Sequence, residues 1–228
     1  HPVAHSFPTR RSSDLGIAQI EQYVIEKGDV QTIRDLVNLL RADGLVVHVN
    51  PIQEWLQPEG DRIKHPPMES IKQLLELVDF DVIVKEVGQG MGKKSLKAML
   101  KLPLTAIEFG AFGGTNFAKI ELMRNKEANA SLLEPLSYIG QTAEEMVILV
   151  NQLIEEEIAV KTGNLIVSGG IKNFLDGYHL INTSQMPSVY GMASTFLKYA
   201  REDYQTLRTF AKGQLEGLRF AYNYLNVV

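Results

Sequence analysis

The sequence predicts an α/β fold built on a parallel sheet, and three observations support this prediction. Short apolar runs alternate along the chain with amphipathic segments, as expected when strands alternate with helices. The runs within "DVIVKEV" and "NLIVSGG" have apolar residues at consecutive positions, which suits strands that are covered on both faces. Glycines or polar residues follow each run, as in "HVNPIQE" and "VSGGIKN". In a barrel or a doubly wound sheet, these strand ends form one functional face.

The individual elements follow from these patterns. Strands are predicted at Leu45–Val49, Val82–Val87, Ala106–Phe109, Leu165–Val167 and Val189–Gly191. Helices are predicted near residues 30–43, 69–78, 94–101, 141–161, 172–182 and 196–225. Thr142 followed by Glu145 forms a capping box ahead of the periodic "MVILVNQLI". No linker or internal repeat interrupts this alternation, so residues 16–228 are assigned to one domain.

The first fifteen residues differ from the rest of the chain. "HSFPTRRSSDL", His5–Leu15, looks like one reading frame of a sequencing-adapter oligonucleotide, and it runs abruptly into the well-patterned "GIAQIEQYVIEK". A natural, disordered basic tail is the alternative. Residues 1–15 are therefore predicted to be non-native or disordered, with native sequence from near Gly16.

Composition excludes several classes of function. A net charge of −4 gives no reason to expect a nucleic-acid partner, which requires clustered Lys and Arg. The chain has no cysteine, which excludes disulfides and thiolate metal sites and fits a reducing cytoplasm. No apolar run is long enough for a membrane span, and the N-terminus lacks the order of a signal peptide. A cytoplasmic protein with no nucleic-acid or membrane partner is expected.

Two glycine turns late in the chain predict a phosphate site. "SGGIKN" places a strand, two glycines and a helix in succession, and "YGMAS" repeats this arrangement one strand later. Such turns present backbone N–H groups to a phosphate, as in barrel enzymes. "GAFGGTN" adds a third glycine loop, with Thr115 beside it, although glycine clusters alone are often only turns.

Charged residues near the strand ends suggest further chemistry. Lys85 lies within an apolar strand, where it either serves a bound anion or electron-rich ring or reaches solvent at an edge. Glu54 could be a Mg²⁺ ligand, because Mg²⁺ is often held by one or two carboxylates, water and substrate phosphate. Glu121 could open a helix and interact with its dipole. His48 alone is more often a core residue than a ligand. Zinc, hydrolase-elbow and Walker motifs are absent.

Four segments together resemble one enzyme family. "HVNPIQEWLQPEGDR", "VIVKEVGQGMG", "EFGAFGGTNFAKIE" and "LIVSGGIKN" resemble the FMN-dependent type 2 isopentenyl-diphosphate isomerases, and the resemblance extends from Gly16 to the C-terminus. It implies a TIM (β/α)8 barrel that interconverts isopentenyl and dimethylallyl diphosphate. It also implies reduced FMN, Mg²⁺, NADPH as a flavin reductant, a small diphosphate substrate and a homo-oligomer.

The resemblance also implies roles for individual residues. Gln53 matches a substrate-contacting glutamine, Glu54 a Mg²⁺ ligand, and Glu121 an acidic residue that handles protons, so Gln53 and Glu121 are the expected catalytic residues. His48 and Asn50 are expected to line the substrate pocket with Gln53. The expected FMN contacts are Lys85, Thr115, Gly169, Gly170, Ile171, Ala193 and Ser194.

The resemblance further predicts that this chain is a barrel fragment. The family has an Arg-Lys pair, an "MTGG" flavin loop and a "GSQR"-like loop closer to its N-terminus, and none of them occurs here. By strand order "GIAQI" follows the third strand, so the chain is expected to carry about strands three or four to eight. Two alternatives remain: an inactive fragment, or an FMN-dependent 2-hydroxy-acid oxidase-like barrel. The second needs a histidine base near a late strand, and His179 lies within a predicted helix.

Overall fold

A computed structural model of the protein describes residues 12–124 and 130–227. Six strands form a single parallel sheet in which neighbouring strands follow chain order. The strands are β1 Ser12–Gly16, β2 Gly44–Val49, β3 Asp81–Glu86, β4 Ala106–Glu108, β5 Asn164–Ser168 and β6 Ser188–Gly191. The predicted α/β class and the five predicted strands are confirmed.

Helices connect the strands. They are α1 Ile17–Ile20, α2 Val30–Leu39, α3 Pro51–Leu56, α4 Pro67–Leu77, α5 Lys93–Leu100, α6 Phe117–Arg124, α7 Ala143–Glu155, α8 Phe174–Thr183, α9 Ser194–Ala200 and α10 Tyr204–Tyr224. A π-helical segment, Glu21–Glu26, follows α1, and a 3-10 segment, Ala130–Tyr138, precedes α7.

The predicted helix over residues 196–225 is two helices. Asp203 ends the break between α9 and α10, and its side chain accepts hydrogen bonds from the N–H groups of Gln205 and Thr206. This N-cap starts a new helix where the periodic pattern alone predicts continuity. The capping box of α7 is confirmed, with the Thr142 and Glu145 side chains each bonding to the other's backbone N–H.

The β1 strand is the main departure from the predicted elements. Ser12–Leu15 belong to the segment predicted to be non-native or disordered, yet they pair in register with Gly44–Val47 of β2. The remainder of that segment, residues 1–11, lies outside the described residues. Residues 12–15 are therefore part of the sheet. The predicted boundary after residue 15 falls inside strand β1 instead of before the first strand.

Helices cover one face of the sheet, and the opposite face combines apolar residues such as Val46 and Ile83 with polar residues at the C-terminal ends of the strands. Leu45 and Val47 of β2, Val84 of β3 and Leu165 of β5 are almost fully buried, and they pack with the helices in one core cluster. Side chains alternate along a strand, so the opposite face carries Lys85 and Glu108, which are paired in register. Among the described residues β1 and β6 are the two edges of the sheet, so its closure into a barrel stays a prediction.

Candidate active site

A row of polar side chains crosses the sheet at the C-terminal ends of its strands, on the face that carries Lys85 and Glu108. In register, Gly16 of β1 pairs with His48, His48 with Lys85, and Lys85 with Glu108. Asp14 joins two of these residues: its Oδ1 lies 2.7 Å from His48 Nδ1, and its Oδ2 accepts a hydrogen bond from Lys85 Nζ at 2.8 Å. Lys85 therefore has an anionic partner at the strand end.

The Asp14 carboxyl is held in its charged form by these contacts. Burial alone would raise its pKa, but the hydrogen bonds with His48 and Lys85 and the positive charge of Lys85 outweigh burial and lower it. Asp14 lies in the segment predicted to be non-native, so its contribution was not expected from the sequence.

A cavity of about 440 Å³ lies beside this row, at the ends of β3, β4, β5 and β6. This volume is within the usual range for a small-molecule site. Lys85 and Glu108 line one part of the cavity, and the turns after β5 and β6 line another. All seven residues predicted to contact FMN line it: Lys85, Thr115, Gly169, Gly170, Ile171, Ala193 and Ser194. The structure thus brings together residues that are widely separated in the sequence.

The turn Gly169–Ile171 lines the cavity in a backbone conformation that favours glycine. Gly169 and Gly170 have φ values of +93° and +76°, and a Cβ atom on Gly169 would lie 2.2 Å from the Ala111 carbonyl oxygen. Glycine is therefore required at position 169. The N–H groups of Gly170 and Ile171 have no hydrogen-bond acceptor within the described part of the chain.

The predicted succession of strand, two glycines and helix in "SGGIKN" is confirmed, and a side chain caps the helix. Helix α8 begins at Phe174, and the Asn173 side chain accepts hydrogen bonds from the N–H groups of Leu175 and Asp176. Any anion held here would therefore contact the loop N–H groups instead of the end of α8.

A second polar cluster joins α3 to α6. Asn50 Nδ2 donates to Gln53 Oε1 at 3.2 Å and to Glu54 Oε1 at 2.9 Å. Gln53 Nε2 in turn donates to Glu121 Oε1 at 3.4 Å. The structure therefore brings four predicted site residues into contact, although Glu121 lies 68 positions after Gln53. Asn50 is buried, and its Oδ1 has no hydrogen-bond partner among the described residues.

Glu121 does not open a helix as the sequence suggested. It is the fifth residue of α6, beyond the first turn where a helix dipole acts, and it is 3% exposed. Its Oε2 accepts a hydrogen bond from Arg124 Nη1 at 2.8 Å. A buried carboxylate with a cationic partner on one oxygen and an amide on the other is fixed in position.

Glu54 faces a different cavity from Lys85. This cavity has a volume of about 460 Å³ and is also lined by Trp55, Asp61 and Arg62. The second oxygen of Glu54 accepts a hydrogen bond from the Asp61 N–H at 2.9 Å. The chain is tightly packed here, since a Cβ atom on Gly60 would lie 1.9 Å from the Glu54 carbonyl oxygen. The predicted site residues thus form two groups, one around the cavity of Lys85 and one between α3 and α6. His48 lies on the face of the sheet next to Lys85.

Two glutamates that the sequence analysis did not select lie at this site. Glu86 and Glu108 end β3 and β4, and both line the cavity of Lys85. Three backbone N–H groups, those of Gly88, Gln89 and Gly90, donate to Glu86 Oε2. Burial nevertheless raises the pKa of Glu86 above its usual value, against the lowering effect of these hydrogen bonds. Charged residues at the ends of apolar strands were a visible signal for both.

The described residues hold no preformed metal cluster and no membrane span. Within residues 12–124 and 130–227, no group of three or more His, Asp or Glu residues is arranged to hold a metal ion. None of the helices in that part of the chain is both long enough and apolar enough to cross a bilayer. His179 is exposed on α8 and lines a separate cavity with Lys172 and Asp176, so it does not face Lys85.

Several curated proteins with one name are similar to this chain. An isopentenyl-diphosphate delta-isomerase from Bacillus pumilus is 35% identical over 169 residues, which cover 74% of this chain and 44% of that protein. Proteins with the same name from Methanosarcina mazei and Ignicoccus hospitalis are 35% and 26% identical, over 72% and 92% of this chain. The chain spans about half the length of these relatives, 42–58%. No family model matches the chain.

One solved structure shows a weaker likeness. It is a mandelate oxidase variant with a monooxide FMN adduct, with a TM-score of 0.49 and 12% identity, covering 92% of this chain and 57% of the oxidase. A likeness at this level carries no conclusion about fold or cofactor.

Proposed function

We propose that this chain is part of an FMN- and Mg²⁺-dependent isopentenyl-diphosphate delta-isomerase of the type 2 class. One observation carries the proposal: all seven residues predicted to contact FMN line one cavity at the C-terminal edge of the sheet. The similarity to proteins named isopentenyl-diphosphate delta-isomerase supports the reaction. The reaction interconverts isopentenyl and dimethylallyl diphosphate.

The residues of the cavity suit a phosphate-bearing flavin. The N–H groups of Gly170 and Ile171 have no acceptor in the described part of the chain, and positive φ angles at Gly169 and Gly170 keep side chains away from them. A phosphate would be held at this turn and beside Ala193 and Ser194. Lys85 would place a cation against the electron-rich ring, with its charge now balanced by Asp14. Reduced FMN, when bound, would supply proton-transfer chemistry that protein side chains alone do not provide.

The α3–α6 cluster suits a hard cation and its diphosphate ligand. Its oxygen donors are the Glu54 carboxylate, Gln53 Oε1 and the unpartnered, buried Asn50 Oδ1. Mg²⁺ prefers oxygen ligands and is usually bound through few carboxylates together with water and substrate phosphate. Glu54 would therefore hold Mg²⁺ together with water and the substrate diphosphate.

Gln53 and Glu121 are the proposed groups for orienting the substrate and moving its proton. Their contact at 3.4 Å places an amide and a carboxylate together beside the cation site. Arg124 fixes Glu121 through Oε2, which leaves Oε1, the oxygen that faces Gln53, as the atom that would accept a proton. His48 and Asn50 would line the same substrate pocket. The proposal includes a partial (β/α)8 barrel, NADPH as reductant, a cytoplasmic location and a homo-oligomer.

Titration of the chain with FMN, followed by quenching of flavin fluorescence, tests the cofactor assignment. We expect saturable binding, weakened about tenfold by Lys85→Ala or by Thr115→Ala, since each removes a polar contact to a bound ligand. Lys94→Ala, an exposed lysine of α5, is the matched control and should leave binding unchanged. A folded chain that binds no FMN would reject the flavin assignment for this polypeptide.

Conversion of isopentenyl diphosphate in the presence of reduced FMN and Mg²⁺ tests the reaction. We expect Glu54→Gln to lower conversion by about tenfold or more at limiting Mg²⁺, because it removes the only charged ligand proposed for the cation. Glu59→Gln changes an exposed carboxylate of the same loop and serves as the control. An unchanged Mg²⁺ dependence in Glu54→Gln would contradict the metal assignment. A chain that binds FMN but forms no product would favour the inactive-fragment alternative.

A further inference from the structure

Glu108 occupies the middle of the proposed cofactor cavity. Lys85 on β3 lies to one side of it, and the phosphate turns follow β5 and β6 on the other side. In register Glu108 pairs with Lys85 and with Ile166, so it lies at the same level of the sheet as Lys85. Three strand spacings separate β3 from β6, which is roughly 14 Å. A ligand that reaches from Lys85 to the turns must therefore pass Glu108.

The hydrogen bonds around Glu108 leave one oxygen available. Ser168 Oγ donates to Glu108 Oε1 at 3.1 Å and accepts from the Gly110 N–H at 3.1 Å. The serine has a single proton, so this arrangement commits it to Glu108. Within the described part of the chain, Glu108 Oε2 accepts no hydrogen bond, and Lys85 is paired with Asp14 instead.

A half-buried carboxylate oxygen in a cavity needs a donor. An ionised carboxylate only accepts hydrogen bonds, so a phosphate would be repelled here and a hydroxyl group would be favoured. Phosphate is accommodated by the N–H groups at the other end of the cavity, and an electron-rich ring by Lys85. The part of the ligand that faces Glu108 is therefore the chain that connects the phosphate to the ring.

We propose that Glu108, held by Ser168, binds hydroxyl groups on the linker between the phosphate and the ring of the cofactor. This inference rests on the proposed function and extends it, because it assigns a specificity-determining residue for hydroxylated linkers. The carboxylate selects a cofactor with a polyol chain over one with the same ring and phosphate on a plain alkyl chain.

Two flavins that differ only in the linker test the inference. FMN and a phosphopentyl flavin share the ring and the phosphate, but the second has no linker hydroxyl groups. We expect the unmodified chain to bind FMN about tenfold more tightly than the phosphopentyl flavin, by the strength of a hydrogen bond to a charged group. Glu108→Ala should abolish this preference by weakening FMN alone, and Glu108→Gln should reduce it. Glu76→Gln, an exposed glutamate of α4, should preserve it.

The outcomes separate this inference from the proposed function. Binding of FMN and the phosphopentyl flavin with equal affinity by the unmodified chain would overturn the role of Glu108 and leave the flavin site intact. Equal weakening of both flavins in Glu108→Ala would also overturn it, because Glu108 would then act through the ring or the fold. No binding of either flavin by the folded, unmodified chain would reject the proposed function itself. The comparison of FMN with the phosphopentyl flavin on the unmodified chain needs no variant. It therefore tests the inference even if a Glu108 variant fails to fold.

Discussion

Replacing Gly110 with alanine is expected to destabilise the protein by at least about 4 kcal/mol. Gly110 has a φ of +50°, and a Cβ atom there would lie 1.9 Å from the Glu86 carbonyl oxygen and 2.9 Å from the Val87 nitrogen. These are backbone atoms at the end of β3, so no side-chain rotation can relieve the contact. The loop after β4 would have to move away from β3, and this movement would break the hydrogen bond from the Gly110 N–H to Ser168.

Two other glycines separate the causes of this effect. Gly28 also has a positive φ, +62°, but a Cβ atom there would meet nothing within 4 Å. Gly28→Ala should therefore lower the free energy of unfolding only by the cost of a positive φ angle in alanine, about 1 kcal/mol. Gly213 lies within α10 and also has open space around it. Gly213→Ala should stabilise the helix by up to about 1 kcal/mol, since alanine favours helices more than glycine does.

Urea unfolding of the three variants measures these differences. The order of stability should be Gly213→Ala, then Gly28→Ala, then Gly110→Ala. A Gly110→Ala protein as stable as Gly28→Ala would contradict the close approach of β4 to β3. It would also show that the cavity beside Lys85 tolerates a rearranged wall.

Both groups of predicted site residues are brought together, but only for the cavity beside Lys85 does the strand pattern of the sequence explain why. In a parallel sheet all strand ends meet at one edge, so residues just past each strand, such as Lys85 and Gly169, are brought together by topology alone. The contact between Gln53 and Glu121 instead depends on how α3 packs against α6. Both helices are short, and their packing leaves no periodic pattern in the sequence.

Two further differences have local causes. Glu86 and Lys85 are neighbours in β3 and point to opposite faces, and the apolar run around them does not reveal which face the helices cover. Strand β1 was missed because its residues were interpreted as adapter-derived, whereas Leu15 pairs with Val47 like any other sheet residue.

Glu86 and Glu21 should respond to pH in opposite directions, although both are buried carboxyls that accept backbone N–H groups. Glu86 has a raised pKa because burial outweighs its hydrogen bonds. For Glu21, burial is again the largest effect, but the N–H groups of His65 and Lys64 and the His65 side chain together outweigh it and lower the pKa. The stabilisation that Glu86 contributes to folding is present below its pKa in the unfolded chain, and it is lost as pH rises through its pKa in the folded protein. The stabilisation that Glu21 contributes is present above its pKa in the unfolded chain, and it is lost as pH falls through its pKa in the folded protein.

Glutamine and alanine at position 86 should therefore have very different effects. Glu86→Gln resembles the protonated carboxyl and keeps an oxygen for the N–H groups of Gly88, Gln89 and Gly90, so it should be at least as stable as the unmodified chain at pH 7. Glu86→Ala leaves the N–H groups of Gly88 and Gln89 without an acceptor, while the Gly90 N–H keeps the Gly110 carbonyl oxygen at 3.3 Å, and it should cost about 3 kcal/mol. Glu21→Gln, the matched control, should destabilise the protein by about 2 kcal/mol at pH 7, because a charged acceptor is lost.

Urea unfolding between about pH 3 and pH 8 distinguishes these expectations, because the two windows lie on opposite sides of the ordinary glutamate value of about 4.3. The stability of Glu86→Gln relative to the unmodified chain should increase as pH rises above that value. That of Glu21→Gln should decrease as pH rises toward that value from below and should change little above it. A Glu86→Gln protein that becomes relatively less stable at pH 7 would show that Glu86 is held as a charged acceptor. Its three hydrogen bonds would then outweigh burial, and the loop after β3 would be fixed by a carboxylate instead of a neutral acid. That loop carries Gly88, whose Cβ position lies 2.4 Å from the Thr115 carbonyl oxygen, so the state of Glu86 bears directly on the wall of the cavity.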